Sequence, residues 1–409
     1  MSTPREYLQT KLACYVTNLS MSVIANMAPI LFLGFRELYG ISYSLLGLLV
    51  LVNFSTQLLV DLFLSPFSHK INTHVAIRLT PVFALLGLLI FAASPIIFPN
   101  AVYAGLLTGT VLYSAAGGLG EVLISPVIAA IPADNSESEV SKLHSVYAWG
   151  VVAVVPICSL YVMLFSIEMW QWLVVGFSVI PLLGALLFAG AKLPTINREE
   201  RTGSVLGEFK NPTLLICIFA IFLGGASECT MSQWASGYIE GALGIEKIWG
   251  DIFGVALFAA MLGLGRTLYA KYGRVVERVL LAGAIGAFVC YIVAALSPIP
   301  VIGLIACALT GLCVSMLWPG TLISCTERIP TGGVFVYAIM AAGGDLGASV
   351  GPQLVGIITD TVAASGIHET FGIPAEALGM KVGMLVGAIF PLAASAVFLY
   401  LLRTRVRKN

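Results

Sequence analysis

Charge is what this chain of 409 residues has least of: Asp, Glu, Lys and Arg make up 10% of it, against roughly 25% in a soluble domain. Positive and negative residues balance, at 21 each, and histidine is limited to 4 residues. That scarcity excludes a basic face for nucleic acid. The spacing shows no His/Asp cluster fit for a metal, no nucleophile motif and no soluble stretch to hold a catalytic domain, so an enzyme is not expected. The 8 cysteines all fall in apolar surroundings, where Cys acts as a small hydrophobe, and no disulfide framework is expected. A cleavable leader is not expected either. The first apolar run is long enough to span a bilayer and ends in Gly34-Phe35-Arg36-Glu37, without a small-residue cleavage site.

What fills the chain is hydrocarbon. It is 58% hydrophobic, with a mean hydropathy of +0.97. Apolar runs of the length needed to cross a bilayer are read at 12–34, 45–66, 75–94, 101–131, 146–165, 170–191, 213–243, 252–270, 279–295, 301–325, 334–362 and 382–402. With both termini on one side, all of the 21 Lys and Arg except Arg36, Lys247 and Lys381 collect on one face. The positive-inside rule makes that face cytoplasmic. An odd number of segments would scatter these charges, so the pattern predicts an all-α, polytopic protein of twelve transmembrane helices.

The longest charged stretch, 192–210, divides the segments six and six. Residues 1–192 are expected as one six-helix bundle, 193–211 as a cytoplasmic linker and 212–409 as a second bundle. A faint internal repeat agrees. Leu123-Ile124-Ser125, Ile131-Pro132 and Val146-Tyr147-Ala148 recur in the same order as Leu322-Ile323-Ser324, Ile329-Pro330 and Val336-Tyr337-Ala338. Such repeats are a signature of transporter folds.

This layout resembles the major facilitator superfamily. The loop Gly265-Arg266-Thr267-Leu268-Tyr269-Ala270-Lys271-Tyr272-Gly273-Arg274 resembles that family's Gly-x-Leu-x-Asp-Arg-x-Gly-Arg, with Ala270 in place of the acid. The matching loop 65–70 has drifted further. The resemblance implies two pseudo-symmetric six-helix bundles and a secondary transporter.

Acids placed inside the apolar segments, more than three residues from either end, are Asp61, Glu121, Glu228 and Asp345. A charge at a helix centre costs about 2.5–3.5 kcal/mol on insertion scales, which makes such residues functional candidates. Glu121 lies roughly 16 Å from the cytoplasmic end of its segment and Asp345 about 18 Å into its own, both near mid-membrane. Both are candidates for proton coupling; a structural hydrogen bond is the competing role for each. The run Gly118-Leu119-Gly120-Glu121, with Pro126 five positions later, resembles the fucose–galactose–glucose proton symporter branch. There the corresponding Glu is implicated in substrate and proton handling, which by resemblance falls to Glu121. The branch's Asn-x-Asn-Asp region reads Asn26-Met27-Ala28-Pro29 here, so its second acid is missing.

Glu228, Ser232 and Ser236 recur every fourth residue and form one polar stripe on a helix. Gln233 and Trp234 stand beside it, giving the amides, acids and aromatic face that suit a sugar. The stripe is expected to face the cavity between the bundles; packing between helices through small residues is the alternative. Asn26, Asn53 and Gln57 complete the substrate-binding candidates, with helix-to-helix bonding as the commoner use of single amides. Asp61, His144 and Trp149 sit at cytoplasmic depth and are read as gate candidates. His144, followed by aromatics and Gly150, again resembles the fucose permease branch.

The leading expectation is therefore a proton-coupled symporter of a sugar-like polar solute, a monomer in a bacterial inner membrane with both termini cytoplasmic. It would contact lipid and its solute, bind no nucleic acid and use no cofactor beyond the coupling ion. The alternative is proton-coupled efflux of drugs or other organic solutes. The absence of a Lys or Arg at mid-membrane weighs against organic anions. A single cysteine placed between residues 192 and 210 of a cysteine-free background is expected to react in intact cells only with a membrane-permeant reagent. Labelling by an impermeant one would refute the topology.

Overall fold

The computed structural model describes residues 5–67, 72–132, 136–194, 211–272, 275–329 and 333–404. Helices occupy every apolar segment, and no strand occurs among the described residues. The bilayer dictates this. Without water, each backbone N–H and C=O must find its partner within the chain, and a helix does so locally.

The first span is α1 (Leu8–Ile30) followed by α2 (Phe32–Tyr39), bent by 51° where they meet. Pro29, inside the last turn of α1, marks the break because it removes an N–H and crowds the preceding turn. Then come α3 (Tyr43–Phe67), α4 (Thr73–Ile97), α5 (Val102–Ala130), α6 (Ser136–Phe165) and α7 (Trp170–Ala189). The second half begins with α8 (Pro212–Gly241). A single turn, Lys247–Gly250, and a π-helical stretch, Asp251–Ala256, lead into α9 (Leu257–Tyr272). After α10 (Val276–Leu296), one span is divided into α11 (Pro300–Val314) and α12 (Pro319–Arg328). Next are α13 (Gly333–Ala364), α14 (Ala375–Gly387) and α15 (Ile389–Arg403). Among the described residues, nine helices are long and apolar enough to cross a membrane, or ten when α1 and α2 count as one span.

The chain forms two compact units: Met1–Gly34 with Val52–Arg201, and Phe35–Leu51 with Thr202–Asn409. The division read from the sequence differs at residues 35–51, which belong with the second unit for a reason given below. Within the first unit, Leu123, Ile124 and Ile131 pack with Cys14, Ile77 and Phe188 in one apolar core. In the second, Leu322 and Ile329 pack with Cys217, Ile221 and Met340. Two positions of the internal repeat, Leu123 with Leu322 and Ile131 with Ile329, thus recur as core positions, whereas Ile323 is exposed where Ile124 is buried.

The glycines of α13 mark a close helix contact. Gly343, Gly347 and Gly351 recur every fourth residue and face Ile218, Phe222 and Ala226 of α8, also spaced by four. This small-residue seam lets two backbones approach. α13 continues unbroken through this run.

Several basic residues expected to mark topology also close helix ends. The last carbonyls of a helix have no internal donor. Arg78 donates to Phe188 O at 3.2 Å and Ala191 O at 3.3 Å, at the end of α7. Arg328 does the same for α15, donating to Leu401 O and, at 3.2 Å, to Thr404 O. Near the start of α6, ahead of its apolar part, Glu139 accepts from Lys11 and, at 2.7 Å, from Lys142. Hydrogen bonds from these two ammonium groups, Lys11 first, lower the Glu139 carboxyl from 4.5 to about 2. A depressed carboxylate adds stability that is complete above its unfolded value and is lost as pH falls toward its folded one. Glu139→Gln is expected to lower the thermal midpoint at neutral pH, with the gap to wild type closing as pH falls below about 4.5. A gap that widens on acidification would contradict this.

Candidate functional site

In the first unit, polar groups gather on one face of α5. Ser114 Oγ donates to Asn53 Oδ1 of α3 at 2.6 Å, and Gln57 Nε2 donates to the same oxygen at 3.0 Å. Asn53 is buried, and its carbonyl oxygen carries two bonds, so its amide hydrogens remain for another acceptor. One turn beyond Ser114 is Gly117, where an added Cβ would stand 3.0 Å from the Gln57 amide carbon. A larger residue here would press Gln57 back from α5. One further turn on is Glu121, and its side chain is exposed.

Exposure on a membrane helix usually means lipid, and α5 has a lipid-like strip: Ala104, Thr108, Val111, Pro126 and Ala129 are exposed and spaced by three or four residues or their multiples. Glu121 stands about 100° around the helix from that strip, on the face of Ser114 and Gly117. The structure therefore brings Glu121, Asn53 and Gln57 to one face. Asn26, on α1, donates to Ser22 O of its own helix at 2.9 Å.

In the second unit, the polar stripe of α8 is arranged differently from the sequence expectation. Glu228 Oε1 lies 3.6 Å from Arg266 Nη2 of α9. Ser232 bonds back to Cys229 O at 3.4 Å, and Ser236 accepts from Lys247 at 2.8 Å. The stripe thus meets basic residues of the neighbouring span, at its two ends. Pairing offsets part of the cost of a charge held in lipid. Gln233 and Trp234 are buried; the indole N–H donates to Pro352 O at 2.8 Å. Asp345 is buried on α13.

Arg266 corrects a second expectation, that no basic group reaches the middle of a span. Pro319 opens α12 and has no N–H, so the carbonyl of Ser315, four residues earlier, loses its helical donor. Arg266 Nε donates to that oxygen at 3.1 Å. Gly265 permits the approach: a Cβ there would collide with Ser315 Oγ and stand 3.1 Å from Leu312 O. The guanidinium consequently reaches Glu228, about 24 Å along α8 from Pro212.

Of the gate candidates, the side chains of Asp61 and His144 lie outside the described residues. Trp149 is 72% exposed and continues the apolar strip of Ile157, Leu160 and Leu164 on α6. That places it with the outward-facing apolar residues, as an amphipathic ring at a membrane boundary, and removes it from the gate set. A cluster that sequence reasoning missed holds residues 35–51 in the second unit. Asp360 accepts from Tyr43 N at 3.0 Å, Ser44 N at 2.6 Å and Ser44 Oγ at 2.5 Å. It thereby serves the unpaired N–H groups at the start of α3 with a negative charge, as a capping side chain would. Arg36 Nε donates to Glu376 Oε1 at 3.0 Å, and Tyr43 OH to Glu376 Oε2 at 2.7 Å. The Arg36 guanidinium lies 4.2 Å over the Tyr43 ring, whose other neighbour is Trp234 at 6.0 Å. Asp360 falls inside an apolar segment near its end, and that was the available signal.

These features are those of a multi-pass membrane protein. A family model described as Major Facilitator Superfamily matches residues 13–352, and the chain belongs to that family. No curated protein matches it by sequence. Solved structures share its fold at low identity. A bacterial homolog of the human lysosomal transporter Spinster, inward-facing and occupied, aligns with a TM-score of 0.73 at 15% identity, covering 97% of each chain. The D-xylose–proton symporter gives 0.70 at 15%, covering 94% of this chain and 96% of its own. The fucose transporter FucP, outward-facing, gives 0.60 at 15%, covering 96% and 100%.

Asp360→Ala should leave three donors at the start of α3 without an acceptor. The expected cost is about 1–3 kcal/mol, read as a lower thermal midpoint of the purified protein, with Asp360→Asn keeping part of the loss back. An unchanged midpoint in Asp360→Ala would show that the cap contributes nothing.

Proposed function

We propose that this secondary transporter carries a sugar-like polar solute together with protons, in a bacterial inner membrane with both termini in the cytoplasm. The observation that carries the reading is Glu121: an exposed carboxyl within a membrane-spanning helix, turned away from the lipid-like strip and two turns from an amide cluster. Asn53 offers amide hydrogens, and Gln57 and Ser114 hold that amide in place. Hydroxyl groups of a polar solute are the natural complement of such an array. A carboxylic acid at the same face binds and releases a proton, and a solute that bonds to one protonation state is thereby linked to proton movement. The solutes of two proteins of similar fold, D-xylose with protons and fucose with protons, support the class. A nucleoside transporter of similar fold, TM-score 0.71 at 12% identity with 98% of this chain covered, broadens it to polyhydroxylated solutes. Asp345, buried beside α8, is the second candidate for coupling.

Replacing Glu121 by Gln fixes the neutral form. In proteoliposomes this variant should lose accumulation driven by a pH gradient and retain exchange of labelled for unlabelled solute. Accumulation at the wild-type level would remove Glu121 from coupling.

A further inference from the structure

One charged group is used fully neither by packing nor by the proposed coupling. Arg266 belongs to a membrane-spanning helix, yet its side chain is 46% exposed. It does not face lipid. The exposed leucines of α9, Leu257, Leu264 and Leu268, stand nine, two and two positions from Arg266, which puts its side chain on about the opposite side of the helix. A guanidinium has five N–H donors in a planar fork. Nε is bound to Ser315 O, and Nη2 faces Glu228 at 3.6 Å, beyond hydrogen-bond distance. The Nη1 pair has no acceptor among the described residues. Glu228 mirrors this: its Oε2 is buried without a hydrogen-bond partner among the described residues. The Ser315 bond fixes the plane of the fork, so its orientation is set before any ligand arrives.

A pre-oriented guanidinium, open on the side away from lipid and only loosely paired, is a receptor for a planar anion. We propose that Arg266 binds a carboxylate of the transported solute, which makes that solute a polyhydroxylated acid such as a sugar acid. This rests on the sugar-like reading above and narrows it. Glu228 competes with the incoming carboxylate for the same fork. It occupies Arg266 when the solute is absent and keeps the buried charge from standing alone.

The test is ligand-induced thermal stabilisation of the purified full chain, followed by titration of each hit. The probes are glucuronate, gluconate, glucose, galactose and benzoate. Glucuronate or gluconate should stabilise the wild type and glucose should not. Arg266→Gln should weaken acid binding by roughly 10- to 150-fold, and Arg266→Lys by less, because charge survives without the fork. Glu228→Gln removes the competitor and should tighten acid binding. This last variant keeps the test decisive if Arg266→Gln fails to fold through loss of the Ser315 bond. Neutral sugars binding while the acids do not would overturn the inference and leave the sugar-like reading standing. Benzoate binding that depends on Arg266, with no response to any polyhydroxylated probe, would retain the carboxylate fork and overturn the sugar-like reading. Acid binding that is unchanged in Arg266→Gln and Glu228→Gln would overturn the assignment to Arg266.

Discussion

Hydrocarbon cannot hydrogen-bond, and this one constraint governs where every polar group of the chain is found. Backbone groups are satisfied by helix, and where helix fails a side chain replaces it. Four such replacements recur. Arg78 and Arg328 close the carbonyl ends of α7 and α15, Asp360 closes the amide end of α3, and Arg266 serves the carbonyl that Pro319 leaves bare. In each case a charged residue does backbone work. Charge is scarce in this sequence, and much of what exists is committed to repairing helix ends and breaks.

Charges with bonding capacity left over therefore stand out. Glu121 and Arg266 are both exposed although both lie in spans, and both leave their helices away from the apolar strips. Their exposure is costly unless something other than lipid meets them. A transported polar solute and a transported proton meet that requirement, and the family fold supplies the setting. The two residues sit in different units of the chain, each supported by its own scaffold: the Ser114–Asn53–Gln57 amides for Glu121, and the Ser315 carbonyl with Glu228 for Arg266.

Much of the fold was legible because its signal is long. Apolar runs of about 20 residues and the one-sided placement of Lys and Arg persist over hundreds of positions, and the repeat of Leu123 and Ile131 as Leu322 and Ile329 tracks core sites. The depth of Glu121 was legible by counting residues. Partners were not. The stripe Glu228, Ser232 and Ser236 is real as helical spacing, but spacing cannot reveal that Arg266 and Lys247 approach it from the next span. Arg266 was read as a loop charge because its Cα lies near the cytoplasmic end of α9, and the reach of a long side chain is not written in sequence position. Asp360 was overlooked because its partners, Tyr43 and Ser44, are more than three hundred residues earlier. Trp149 was misassigned because an aromatic at gate depth looks the same whichever face it occupies.

The central claim is that solute and proton move together through the face that Glu121 defines. Proteoliposomes loaded with a pH-sensitive dye test it without any imposed pH gradient. Adding the transported solute outside should acidify the lumen as the solute enters, whether that solute is neutral or an acid. Solute entry with no change in lumenal pH would contradict the claim and make the protein a uniporter.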